Sequence, residues 1–258
     1  MDEGRRLHLA LCTVAERLAG VMEGARFERR DGYVLMMFPT LPIPSFNGVW
    51  ADEDSAAVAL GDALAEVEAE GIAAGVLTRS GRTPAVEGRA RELGLTAAER
   101  IPGMVASPGD LDEPGPSALE VVRVETADGF AQALALAAEG FSLPADYLAP
   151  LYMLEVTGLA GFEVYLGRVE GRDVTTAASY VVDGDVGIFN VATPSAHRGR
   201  GYGAAITWHA VREGFAAGAE LAYLQASTIG ESVYRRLGFR EVVTYMLMTR
   251  PAKVTAIS

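Results

Sequence analysis

The residues best suited to chemistry are gathered in one stretch, Asn190–Gly203, with the sequence NVATPSAHRGRGYG. It follows a predicted strand and opens a predicted helix. Glycines at 199, 201 and 203 let the main chain adopt positive φ and bring peptide N–H groups close to a ligand. Free N–H groups at a helix start, with the dipole behind them, suit an anion. Arg198 and Arg200 add positive charge, so a phosphate-bearing ligand is the natural occupant. A P-loop is excluded, because no Gly-Lys-Ser/Thr follows at the required spacing. The dinucleotide fingerprint is matched formally by Gly199, Gly201 and Ala204, but it needs an acid at the C-terminal end of the next strand. Glu220 falls at the start of that strand, and the strand feeding the loop reads as part of an antiparallel hairpin.

A third pattern fits. Arg198-x-x-Gly201-x-Gly203 resembles the Arg/Gln-x-x-Gly-x-Gly/Ala motif of the GNAT acetyltransferases. Tyr234 through Gly238-Phe239 resembles that superfamily's Tyr-x-x-x-Gly-Phe signature. The likeness covers residues 119–250 and is strongest from Val186 to Phe239. It implies an α/β fold with a mixed, mostly antiparallel twisted sheet flanked by helices, in which two central strands splay apart. It implies acetyl-CoA as cosubstrate, its pyrophosphate gripped along Arg198, Gly199, Arg200, Gly201, Tyr202, Gly203 and Ala204. The pantetheine arm would lie along Val191, Ala192 and Thr193, with Ser227 where many members carry asparagine. Tyr234 would contact the cofactor and act as general acid toward the departing thiolate, since a phenol near pKa 10 is protonated at neutral pH. Glu155 or Glu163 would be the base that frees a primary amine for direct attack, with no metal. His197 could touch phosphate or merely occupy the loop, and His209 reads as structural. The other reading is a module that binds acetyl-CoA or another acyl-CoA without transferring the acyl group, because a glycine loop reports binding and not chemistry.

The surrounding elements must position these groups. Leu119–Glu125 alternates as a strand, and Asp128–Gly140 is a helix capped by Thr126 or Asp128. Ala145–Thr157 is expected to be a second helix. Strands follow at Phe162–Val169, Val174–Val182 and Val186–Thr193, the last two joined by the hairpin signal Asp183-Gly184. A helix over Gly203–Ala217 would bury Ala204, Trp208, Val211 and Phe215 as a core stripe. Strand Leu221–Gln225, helix Gly230–Leu237 and strand Arg240–Thr249 complete this half. Before it, strands are expected at Tyr33–Phe38, Ile72–Thr78 and after Leu95, and helices at Ser55–Glu70 and Pro84–Leu93.

Residues 106–118, rich in proline, glycine and acid, have the composition of a linker. The expected division is therefore 1–110, a linker over 111–118, and 119–258 as the acetyltransferase domain. Arg91–Leu95 and Phe46-Asn47 correspond to Arg235–Phe239 and Phe189-Asn190, so the first half reads as a degenerate GNAT-like copy without the glycine loop. Phe46, Asn47 and Trp50 would then pack on the second half or shape an acceptor entrance.

The bulk properties set outer bounds. Acids exceed bases by 34 to 22, a formal charge of −12, which argues against nucleic-acid binding. An acidic surface suits a cationic acceptor, a small-molecule or peptide amine. Cys12 is the only cysteine, which excludes an internal disulfide and points to a cytoplasmic setting. Leu7, Leu11, Val14, Leu18 and Val21 have helical spacing, and the run is too short to span a membrane. A homodimer is compatible with all of this.

Overall fold

The computed structural model describes residues 1–115 and 117–251. The chain runs α1 (Glu3–Ala19), β1 (Arg26–Arg30), β2 (Tyr33–Met37), β3 (Gly48–Ala51), α2 (Leu60–Ala69), β4 (Gly75–Arg79), α3 (Pro84–Glu92) and β5 (Thr96–Ala106). It continues with β6 (Glu120–Arg123), α4 (Ala127–Phe141), α5 (Ala145–Leu148), α6 (Leu154–Thr157), β7 (Phe162–Val169), β8 (Arg172–Val182) and β9 (Asp185–Ala192). Helix α7 (Tyr202–Ala216), β10 (Leu221–Gln225), α8 (Glu231–Arg236) and β11 (Arg240–Thr249) close the order. The result is the expected mixed α/β architecture, sheet flanked by helices. No helix among the described residues is long and apolar enough to cross a membrane.

Two compact units form, and neither is contiguous in sequence. One, the loop-bearing unit, joins Met1–Met22 to Pro102–Val242; the other, the companion unit, joins Glu23–Ile101 to the chain from Val243 onward. The division thus differs from the expected one at 111–118, and two packing facts explain why. Helix α1 belongs to the loop-bearing unit, where Leu7, Leu11, Val14 and Leu18 are buried and Arg6 makes a two-pronged pair with Asp185 at 3.0 and 2.6 Å. The acidic stretch also packs there: Pro108–Asp110 forms a capped turn, and Asp112 N–H donates to Leu237 O at 3.1 Å. Residue 116 of the expected linker lies outside the described residues.

In the loop-bearing unit the strand order is β5-β10-β9-β8-β7-β6. Strands β9 and β10 are parallel, and the other neighbours are antiparallel. The β8–β9 turn forms as expected, with Asp183 and Gly184 both at positive φ, 51° and 83°. Thr126 caps α4 by accepting from Gly129 N–H at 3.1 Å. The expected helix over Ala145–Thr157 is broken into α5, a 3-10 turn at Ala149–Tyr152, and α6. Pro150 accounts for this, since it lacks an N–H and clashes with the preceding turn. In α7 the fully buried row is Ile206, Ala210 and Val211, with Ala204, Trp208 and Phe215 only partly buried against the same core. The expected stripe is therefore shifted, and Trp208 carries the Arg212 guanidinium over its ring at 4.6 Å.

The companion unit repeats much of this plan, with order β1-β2-β3-β4-β11 and one parallel pair, β3–β4. Its core is built from Leu35, Met37, Val49, Leu60, Leu64, Val67, Val76 and Val86. Strand β1 has the charged sequence RFERR, and its Arg26 and Arg30 join Glu28 and Glu66 in an exposed network.

Candidate active site

The site begins with a defect in β9. Between Ala178↔Phe189 and Thr176↔Ala192, β8 advances two residues while β9 advances three. The extra residue is taken up at Asn190, whose φ of 51° lies in the left-handed region that asparagine tolerates better than most side chains. Pairing of β9 with β10 runs from Asp185↔Leu221 to Ile188↔Leu224 and stops there. Beyond Ile188 the two strands are no longer in register, so Phe189–Ala192 offers an open main-chain edge. This is the expected splay, and Val191, Ala192 and Thr193 lie on or just past it. Their hydrogen bonds show which atoms are already used: Ala192 O accepts from the Thr175 hydroxyl at 2.9 Å, and Thr193 O accepts from Arg198 Nε at 2.9 Å.

The glycine loop follows. Gly199 and Gly201 have φ of 76° and 79°, and no atom lies within 4 Å of where a Cβ would stand on either. Gly201 is the N-cap of α7 and supplies no side-chain oxygen to the first turn. The first helical bond is Ala205 N–H to Gly201 O at 3.0 Å. The N–H groups of Tyr202, Gly203 and Ala204 are therefore left without a partner among the described residues. No aspartate or glutamate occurs between Asp185 and Glu213. Main-chain donors, a helix dipole and an acid-free segment converge on one exposed spot, and an anion there would meet little competing charge.

Arg198 already makes two bonds within the fold. Its guanidinium ties Thr193 O to Gly140 O, at 2.9 and 2.7 Å, and so fixes the loop to the end of α4. That contact needs Gly140, because a Cβ there would come 2.9 Å from the Ala192 side chain. Arg200 is exposed and makes no ion pair among the described residues, leaving it the freer cation. His197 Nδ1 is buried without a partner. His209 is structural, packed edge-on against Tyr165 at 5.4 Å with its pKa lowered by burial.

Tyr234 sits in α8 and is 9% exposed, its ring edge-on to Phe239 at 6.1 Å. Burial pushes its phenol up to about 12, so it is a held proton at neutral pH. Ser227 Oγ accepts from Gly230 N–H at 3.1 Å in the turn before α8, and its O–H remains able to donate. The two base candidates are unlike each other. Glu155 is exposed on α6, whereas Glu163 is held on both oxygens by Arg123 at 3.1 Å. A guanidinium so placed occupies both carboxylate oxygens, which a base would need for the amine or its water.

One group emerges only from the structure. Tyr152, at the end of the 3-10 turn between α5 and α6, is 7% exposed and its hydroxyl is fully buried. The Asn190 side chain faces that hydroxyl but does not complete a well-formed hydrogen bond with it. Burial raises the phenol's pKa, so it stays neutral. Leaving a buried hydroxyl unpaired costs about 1–3 kcal/mol. The sequence signal was slight: an asparagine inside a β run, and a tyrosine in a segment broken by proline.

Known proteins agree with this geometry. Residues 147–239 match the model of the acetyltransferase (GNAT) family. Over nearly the whole chain the fold is similar to a GCN5-related N-acetyltransferase from Kribbella flavida. That similarity has a TM-score of 0.72 at 24% identity, covering 93% of this chain and 95% of the other. A GCN5-related N-acetyltransferase from Sphaerobacter thermophilus aligns with a TM-score of 0.61 at 16% identity, covering 89% and 84%. A tandem GNAT protein from the clavulanic acid biosynthesis pathway gives 0.60 at 11%, covering 92% and 87%. No curated protein matches the chain significantly. The GNAT fold is thus shared across the length, and the family match falls on the half that carries the loop.

Proposed function

We propose that the protein is an acetyl-CoA-dependent N-acetyltransferase that passes an acetyl group to a primary amine by direct attack. The observation that carries this reading is the uncapped start of α7 beside the parted strands β9 and β10, inside the GNAT-family segment. Residues Arg198–Ala204 would hold the pyrophosphate through main-chain N–H groups, with Arg200 adding charge. The arm would pair along Val191–Thr193, where β10 no longer competes for the edge, and pass Ser227. A main-chain N–H on that edge would stabilise the thioester oxygen as it gains charge, an effect worth about 2.7–4 kcal/mol for one donor in other acyl transfers. The amine nitrogen bonds to the carbonyl carbon, the carbon–sulfur bond breaks, and Tyr234 donates its proton to the leaving thiolate. Glu155 is favoured over Glu163 as base, acting through water, because Glu163 is committed to Arg123.

The proposal extends to the companion unit, read as a degenerate copy of the same fold: its strand order parallels that of the loop-bearing unit, and it has no glycine loop after β3. A cytoplasmic setting and a small-molecule or peptide acceptor, with no nucleic acid, belong to the same reading. One observation favours a second reading, binding without transfer: Glu163 is occupied on both oxygens by Arg123. Thiol release from acetyl-CoA separates the two. Release that requires an added amine supports transfer; binding with no release across a broad amine panel supports the second reading.

A further inference from the structure

We propose that Tyr152 and Asn190 bind the acceptor nitrogen, and that the acceptor is a primary amine on an apolar body. This rests on the transfer reading above. The Tyr152 hydroxyl is buried and unpartnered, although such groups in folded proteins nearly always find a partner. It faces Asn190, and Asn190 stands where β9 leaves β10, the place at which acyl transfer would occur. A neutral phenol and a carboxamide oxygen can each accept an N–H, and neither competes for the amine's proton.

The surrounding segment indicates what the nitrogen is attached to. From Gly140 to Gly167 there are three acids, Asp146, Glu155 and Glu163, and no lysine, arginine or histidine; Arg123 pairs with Glu163 and Arg198 reaches Gly140 O, which leaves Asp146 and Glu155 to attract a cation. The same segment leaves Phe141, Leu143, Tyr147, Met153 and Leu154 exposed, with Leu154 at 79%. Single exposed hydrophobic residues need no explanation, but five within fourteen positions beside an acid-only run fit an amine with an aryl or alkyl body. A sugar amine would leave these side chains in water.

The test compares wild type, Tyr152→Phe and Asn190→Gly, with phenethylamine as the apolar amine and glucosamine as the polar one. Glycine suits the positive φ at 190, and phenylalanine removes one oxygen, so both variants should fold, with Tyr152→Phe melting no lower than wild type. Acetyl-CoA affinity should stay within about twofold in Tyr152→Phe, since Tyr152 lies outside both the phosphate loop and the open β9 edge. The KM for phenethylamine should rise about tenfold in Tyr152→Phe, the loss expected of one hydrogen bond, with a smaller change in kcat. Wild-type KM in both variants, or a wild-type preference for glucosamine, overturns the inference. If acetyl-CoA binds but no thiol is released, the transfer reading fails separately, and calorimetry of phenethylamine on the acetyl-CoA complex decides this one. Tenfold weaker binding in Tyr152→Phe sustains it; equal binding, or none to wild type, overturns it.

Discussion

Strands β3 and β4 in the companion unit and β9 and β10 in the loop-bearing unit are both parallel pairs that meet beside a Phe-Asn dipeptide. In the companion unit pairing starts at Gly48↔Gly75, directly after Phe46-Asn47, and runs to Trp50↔Leu77. In the loop-bearing unit it ends at Ile188, directly before Phe189-Asn190. Asn47 is extended, with φ of −133°, and spends its whole amide on the fold. It accepts from Phe38 N–H at 2.7 Å and donates to Leu41 O and Ile43 O at 2.7 and 3.1 Å. Arg79 then staples the far end shut by donating to Asp52 Oδ1 at 2.6 Å. Asn190 is in the left-handed region, its side chain turned toward the Tyr152 hydroxyl, and Arg198, beyond the end of β9, bonds Thr193 O and Gly140 O, not β10. One strand pattern therefore serves as scaffold or as cleft, depending on whether the asparagine and the strand ends are spent on the fold.

The largest effect that would sharpen this contrast is in the companion unit. Asn47→Ala leaves the buried Phe38 N–H unpaired and removes a second donor from Leu41 O and Ile43 O, and should cost about 3 kcal/mol, read as a lower denaturation midpoint, with acetyl-CoA affinity intact. An unchanged midpoint would break the contrast. Next is Tyr234→Phe, which should slow thiol release about a hundredfold while changing acetyl-CoA affinity little, because only the proton donor is lost. A third is Arg198→Ala. Cutting the tie between Thr193 and Gly140 should weaken acetyl-CoA binding about tenfold by calorimetry, and Arg198→Lys should not restore it, since lysine lacks the planar fork.

The smallest effect is invisible at neutral pH. Burial raises the phenols of Tyr234, Tyr152 and Tyr223, so each favours the neutral form in the fold. Their contribution is complete below pH 10, the ordinary tyrosine value, and is lost for Tyr234 as pH rises through about 12. Urea titrations above pH 10 should therefore show wild type losing stability more steeply than Tyr234→Phe.

What could be read in the sequence was local. The Thr126 cap, the Asp183-Gly184 hairpin and the Gly199–Gly203 loop are each specified by a few adjacent residues, and all three form. Features set by distant partners were not legible. Strand β1 hides because its alternating charges pair with Glu66, 36 and 40 positions away. The Arg198 guanidinium also bonds Gly140 O, 58 positions earlier, a tie that no local pattern specifies. Pro150 was visible, yet only packing shows that the broken helix it causes buries Tyr152 opposite Asn190. The exchange of α1 and β11 between the units left no mark that composition could reveal.

The central claim is that the open loop of the loop-bearing unit, and nothing in the companion unit, holds acetyl-CoA. Its most direct test is calorimetric titration of acetyl-CoA into wild type, Gly201→Glu and Gly81→Glu. Gly81 is a fair control, with φ of 74° and open space around it like Gly201 at 79°. Each substitution places a side chain at an unfavourable positive φ, but only the one at 201 sets a carboxylate against the α7 N-terminus. Binding by wild type and Gly81→Glu, with a loss of a hundredfold or more in Gly201→Glu, is the expected result. Equal binding in all three folded proteins, or none in wild type, would contradict the account.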